Sequence, residues 1–179
     1  MSIQIFILSR LMQDNSYPYK LKKQLSEPLP LDELANLTES KLYYNFDALA
    51  KKGLIEIVEV IKEDHRPDKQ VFAITDKGRE ALPKLIYKLF ENAGDIKDMI
   101  VGLTCLKYVD REEVVRILEN KAVSIEERWA YVREMEDRIQ VNETNAKMVD
   151  LMKGYVTARK EHTLHWLKIV IERIRNNEI

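Results

Sequence analysis

The chain has 179 residues, 45% hydrophobic and 33% charged, with a formal net charge of -1, enough for one large or two small folded domains with a real core. Residues 1–85 hold 13 Lys+Arg against 13 Asp+Glu, and the remainder 16 against 17. A global positive field is thereby excluded, so any nucleic-acid contact comes from local patches.

Residues 3–13 place Ile3, Ile5, Phe6, Leu8 and Met12 at helical spacing, and "DNSYP" ends that helix. The apolar start carries Gln4 and Arg10 and has no basic leader or small-residue cleavage site, so it reads as a core helix. "YKLKKQL" predicts a short second helix with Leu21 and Leu25 inward, and the proline-rich "SEPLPLDELANL" predicts a connection holding one helical turn. Residues 38–54 predict the best-defined helix of this half. Leu42, Phe46 and Leu49 form its buried stripe, and Gly53 stands where a C-terminal cap belongs. "IEIVEVIKE" and "QVFAIT" read as strands joined by "DHRPDK", with Phe72 and Ile74 on one face. Three helices followed by a hairpin is the order of a winged helix-turn-helix, with residues 38–53 as its third helix and residues 64–69 as its wing.

From Asp76 onward the strand signals vanish, and the fold class is mainly α. "DKGREALPKLIYKLFENAG" predicts a helix that accommodates Pro83 through a kink or a late start. "DIKDMIVGLTCLKY" is helical, and Asp110 with Glu113 then forms a capping box for a further helix. Ser124 with Glu127 forms a second box, opening a helix lined by Ile125, Trp129, Val132, Met135 and Ile139. From about Thr144 to Ile174, one wide stripe carries Met148, Leu151, Met152, Tyr155, His162, Trp166, Ile169, Val170 and Ile174, and such helices want a partner helix.

Catalytic equipment is missing from this pattern. His65, His162 and His165 sit in no zinc-protease, glycine-rich phosphate or nucleophile-elbow context, and His162 with His165, at i and i+3, makes only a weak two-ligand site. Cys105, the single cysteine, excludes an internal disulfide and reads as a small buried hydrophobe. No apolar run approaches the roughly 20 residues that span a bilayer. The expectation is a cytoplasmic protein that is no enzyme, holds no cofactor or metal and has no membrane partner.

The third helix and wing remain. Lys51 and Lys52 suit a solvated helix end beside the last carbonyls. Near the N-terminus of the same helix, Ser40, Lys41, Tyr43, Tyr44 and Asn45 offer hydroxyls, an amide and a cation of the kind that meet base edges and phosphates in a major groove. The wing tip "HRPDK" lacks the Asn-Gly or Asp-Gly of an ordinary tight hairpin. Its proline-stiffened Arg66 and Lys69 suit a minor groove or phosphate, and Asp68 reads as orienting a neighbouring base side chain. His65 and Trp129 receive no role.

The motifs "SKLYYNFDALAKKGLIE", "RPDKQVFAIT" and "DKGREAL" together resemble the DNA-binding domain of the PadR family of bacterial transcriptional regulators. Tyr43, Gly53-Leu54-Ile55, Arg66-Pro67-Asp68-Lys69, and Thr75, Gly78 and Leu82 follow the family pattern in order. "SYPYKL", where the family usually has a glycine, and the proline-rich "SEPLPLDELANL" depart from it. More loosely, "DIKDMIVGLTCLKYVDREEVVRILENK" and "RKEHTLHWLKIVIERI" resemble the helical dimerisation domain of the longer subfamily, with Trp166-Leu167 at its Trp-Leu position. The resemblance implies a winged helix-turn-helix over residues 1–85 and an all-helical dimerisation domain over residues 86–179. It further implies a homodimer on a double-stranded operator, usually a repressor, released by a small aromatic or phenolic effector. An effector pocket is expected near Phe90, Met99 and the terminal helices. The alternative is a winged-helix module that binds protein rather than DNA, which near-neutral charge favours.

Overall fold

The computed structural model describes residues 2–25, 38–62, 68–136 and 143–179. It comprises α1 (Ser2–Leu11), α2 (Pro18–Lys23), α3 (Glu39–Lys51), β1 (Ile55–Ile61), β2 (Lys69–Ile74), α4 (Asp76–Asn92), α5 (Ile96–Leu103), a 3-10 turn (Leu106–Tyr108), α6 (Arg111–Glu136) and α7 (Glu143–Arg175). The chain is mainly helical with one antiparallel hairpin, the winged-helix order that the sequence predicts. Residues 26–37, with the proline-rich connection, and residues 63–67, with the wing tip, lie outside the described residues.

Two compact units divide the chain, Met1–Asp110 and Arg111–Ile179. The first extends beyond residue 85 because α4 and α5 both pack on α1 and on each other. Helix α1 is the centre of this unit. The sequence spacing suggests a single inward face, yet Ile3 and every residue from Ile5 to Ser9 are buried, since α3, α4, α5 and β2 surround it. Phe90 and Met99, expected beside an effector pocket, are fully buried core residues of this unit. A Cβ on Gly102 would lie 2.9 Å from the Phe90 ring, so α5 packs closely on α4 there.

Helix α3 is specified at both ends. The Thr38 hydroxyl accepts from the Lys41 N–H, and Gly53, at φ +69°, lets the Gly53 and Leu54 N–H groups reach the Ala50 and Leu49 carbonyls. This double closure satisfies carbonyls that would otherwise be orphaned. Thr75 then locks the next junction. Its hydroxyl donates to the Gly53 carbonyl at 2.8 Å and accepts from the Gly78 N–H at 3.1 Å, while its own N–H donates to the Leu54 carbonyl. Gly78 is required by contact rather than by backbone angle, because a Cβ there would fall 2.1 Å from the Leu54 carbonyl oxygen. The Thr75-x-x-Gly78 motif therefore seats α4 against the end of α3.

Three readings of the sequence need correction. Pro83 lies inside α4, which starts at Asp76 with no delay, because Leu82, Ile86, Leu89 and Phe90 bury the helix on both sides of the proline. Ser124 opens no helix: α6 runs unbroken through it, since no glycine or proline between residues 111 and 136 interrupts the turn. In β1 the alternation is not expressed in burial. An irregular register between Ile57 and Glu59 makes Val58 an extra residue, and Ile57, Val58 and Val60 are all exposed.

In the second unit α6 packs on α7. The apolar stripe of α7 divides in two: Leu164, Leu167, Val170, Ile171 and Ile174 are buried, whereas Met148, Leu151, Met152 and Tyr155 are exposed. Trp166 is exposed too, flanked edge-on by the rings of His162 and His165.

Gly78 and Gly154 give opposite expected outcomes. Gly78→Ala lowers unfolding stability by about 2 kcal/mol or more through the clash with backbone. Gly154→Ala, in open space within α7, raises it by up to about 1 kcal/mol. Urea denaturation followed by far-UV circular dichroism measures both.

Candidate nucleic-acid interface

The interface begins with the two faces of α3. Leu42, Phe46 and Leu49 are buried inward. On the opposite side Ser40, Lys41, Tyr43, Tyr44, Lys51 and Lys52 are exposed, Tyr44 at 73%. Two phenols, a hydroxyl and cations thus stand on one accessible helix face, the chemistry that a major groove accepts.

Asn45 is placed differently from its neighbours. It is half-buried, its Nδ2 donates to the Lys41 carbonyl at 2.7 Å, and its Oδ1 accepts from Gln4 Nε2 at 2.9 Å. Its amide thereby ties α3 to α1 and orients the reading face. Sequence alone hides this, because the partner lies 41 residues away.

The wing reaches α3 through β2. Phe72 is buried against Phe46, with ring centroids 5.0 Å apart at 53°. On the other edge of β2, Ser16 exchanges backbone hydrogen bonds with Phe72, at 3.0 and 2.8 Å, adding a third extended segment to the hairpin. That bridge fixes the residues that follow it, Tyr17-Pro18-Tyr19. Pro18 then starts α2, where its missing N–H is no loss.

Between α2, α3 and β2 lies an open cleft of about 590 Å³. Tyr17, Tyr19 and Tyr43 form its walls, Phe46 and Phe72 its floor, and Asp47, Asp68 and Lys69 its polar positions. The Lys69 ammonium sits 5.7 Å from the Tyr17 ring centroid. Asp68 pairs with no basic side chain among the described residues, so the orienting role read from sequence is not seen there. Sequence reasoning missed Tyr17 and Tyr19; the signal was the Tyr-Pro-Tyr run at the start of a lysine-rich helix. Arg66 and His65 lie outside the described residues. Among the described residues no group of three or more His, Cys, Asp or Glu is placed to hold a metal ion, and no helix is long and apolar enough to cross a membrane.

A buried three-helix core, a hairpin pinned to the third helix and an exposed polar face on that helix define a winged helix-turn-helix domain. Residues 7–84 match the Transcriptional regulator PadR-like family. Those residues therefore form a domain of the PadR-like transcriptional regulator family. Solved structures similar to it include Bacillus subtilis PadR in complex with operator DNA, at 14% identity and TM-score 0.41, covering 97% of this chain and 99% of that one. The same protein in complex with p-coumaric acid matches at 15% identity and TM-score 0.38, covering 98% and 99%. The PadR-like regulator BC1756 from Bacillus cereus matches at 19% identity and TM-score 0.42, covering 97% and 96%. At these scores they are likenesses only, and the family assignment rests on residues 7–84. No curated protein sequence matches the chain at a significant level.

The differing placement of Asn45 and Tyr44 has a measurable consequence. Asn45→Ala lowers stability by about 1 kcal/mol, since it leaves a part-buried amide of Gln4 unpaired. Tyr44→Ala stays within about 0.5 kcal/mol of the parent, as surface substitutions do. Urea midpoints of the two variants check this.

Proposed function

We propose that the protein is a sequence-specific regulator that binds a double-stranded operator as a homodimer, acts as a repressor in the cytoplasm and is released by a small aromatic effector. The observation that carries the DNA contact is the segregation of α3 into a buried Leu42-Phe46-Leu49 stripe and an exposed face of Ser40, Lys41, Tyr43 and Tyr44 beside Lys69. In this reading Tyr43, Tyr44 and Ser40 face bases, Lys41, Lys69 and Arg66 face phosphate or a minor groove, and Asn45 positions the helix. Residues 1–85 read DNA, while residues 86–179 bring two copies together.

Dimerisation is supported by the N-terminal half of α7. Met148, Leu151, Met152 and Tyr155 are exposed at a spacing of three, one and three residues, a heptad-like seam on a helix that needs a partner. One winged helix makes few phosphate contacts, and a two-fold pair doubles them while fixing the half-site spacing. Release requires only an effector that binds better to a dimer whose reading heads are misaligned. The near-neutral charge favours a second reading, a winged module that binds protein rather than DNA.

Gel shift on the protein's own upstream region separates the two. The regulator binds with an affinity that falls steeply with salt. Tyr43→Ala and Arg66→Ala each weaken binding by about tenfold or more, and Lys69→Ala reduces the log-log salt slope by about one. A protein that binds no neighbouring promoter and instead forms a stable heterocomplex overturns the DNA reading. In sedimentation equilibrium, the double variant Leu151→Glu/Met152→Glu is monomeric where the parent is a dimer.

A further inference from the structure

We propose that the cleft between α2, α3 and β2 is a binding site for a small aromatic cation, and that its occupant and duplex DNA exclude one another. The exclusion rests on the DNA-reading function given above for α3.

The walls select an aromatic ligand. Tyr17 and Tyr43 line about 590 Å³ of open space together with Phe72, which is held by its contact with Phe46 and its backbone bridge to Ser16. The floor is therefore preformed, which lowers the ordering that a ligand has to impose. A planar ring stacks on such walls at little conformational cost.

Charge selects a cation. Asp47 and Asp68 both line the cleft, and neither has a hydrogen-bond or ion-pair partner among the described residues. Among the described residues lining the cleft Lys69 is the one cation, and its ammonium lies 5.7 Å from the Tyr17 ring centroid, a contact of the kind an aromatic wall offers to a cation. Among the described lining residues two carboxylates stand against one ammonium, a balance that favours an aromatic amine over an aromatic carboxylate. A ligand stacked on Tyr43 covers a base-facing side chain, and one seated beside Lys69 occupies the approach to the wing. Competition therefore needs no change in how two copies are arranged.

The test uses the full chain with two probes that share one ring system, tryptamine and indole-3-propionate. Both tryptophans, Trp129 and Trp166, belong to the other compact unit, so backbone amide NMR rather than tryptophan fluorescence locates the site. Tryptamine is expected to shift the signals of Tyr17, Tyr43 and Lys69, and indole-3-propionate to bind more weakly by about fivefold or more. Asp47→Asn/Asp68→Asn weakens tryptamine by about fivefold and leaves DNA affinity equal or tighter, because it removes negative charge from the reading face. In gel shift, tryptamine raises the DNA concentration needed for half-saturation of the parent and has less effect on this variant. Equal binding of the two probes, shifts clustered elsewhere, an unchanged tryptamine affinity in the variant, or no binding at millimolar concentration overturns the site. Tryptamine bound in the cleft with DNA affinity unaltered overturns the exclusion. If the parent binds no DNA at all, the regulator reading fails while the NMR arm still decides the cleft.

Discussion

The contact between Phe46 and Phe72 is the one on which the joint between α3 and the hairpin depends. Phe46 belongs to the buried stripe of α3 and Phe72 to β2, so a single aromatic pair sets the distance between the helix and the hairpin. The Ser16 bridge holds Phe72 from the opposite edge. Because its backbone and ring are constrained by different neighbours, Phe72 has little freedom to move, and the groups around it inherit that rigidity: Tyr17 through Ser16, Tyr43 through α3 and Lys69 through β2.

A second lock acts at the other end of α3. Gly53 closes the helix in a left-handed conformation, Thr75 ties the closure to the start of α4, and Gly78 lets α4 approach the Leu54 carbonyl. With Asn45 bonded to Gln4 of α1, the helix is fixed along its length and at its exit.

The two halves of α7 show how one helix serves two purposes. Its C-terminal half buries leucine, valine and isoleucine in the second unit, and its N-terminal half leaves methionine, leucine and tyrosine in solvent. Large apolar side chains in such a row are costly to leave wet.

Much of this was legible in the chain itself because it depends on short-range chemistry. The Leu42-Phe46-Leu49 period, the glycine closing α3, the cap and glycine of Thr75-x-x-Gly78, and the branched residues of the hairpin each dictate local geometry within a few residues. Tertiary structure decided whatever depends on distant partners. Asn45 turns inward because Gln4 waits there, α1 is buried on nearly all sides because four elements surround it, and Pro83 is carried inside α4 by packing on both sides of it. Ser124 has the residues of a helix start, but continuous helical packing overrides a local cap. The cleft is the clearest case: Tyr17, Tyr43 and Asp68 are far apart in sequence, and only the pairing of Ser16 with Phe72 and of Phe72 with Phe46 brings them to one place.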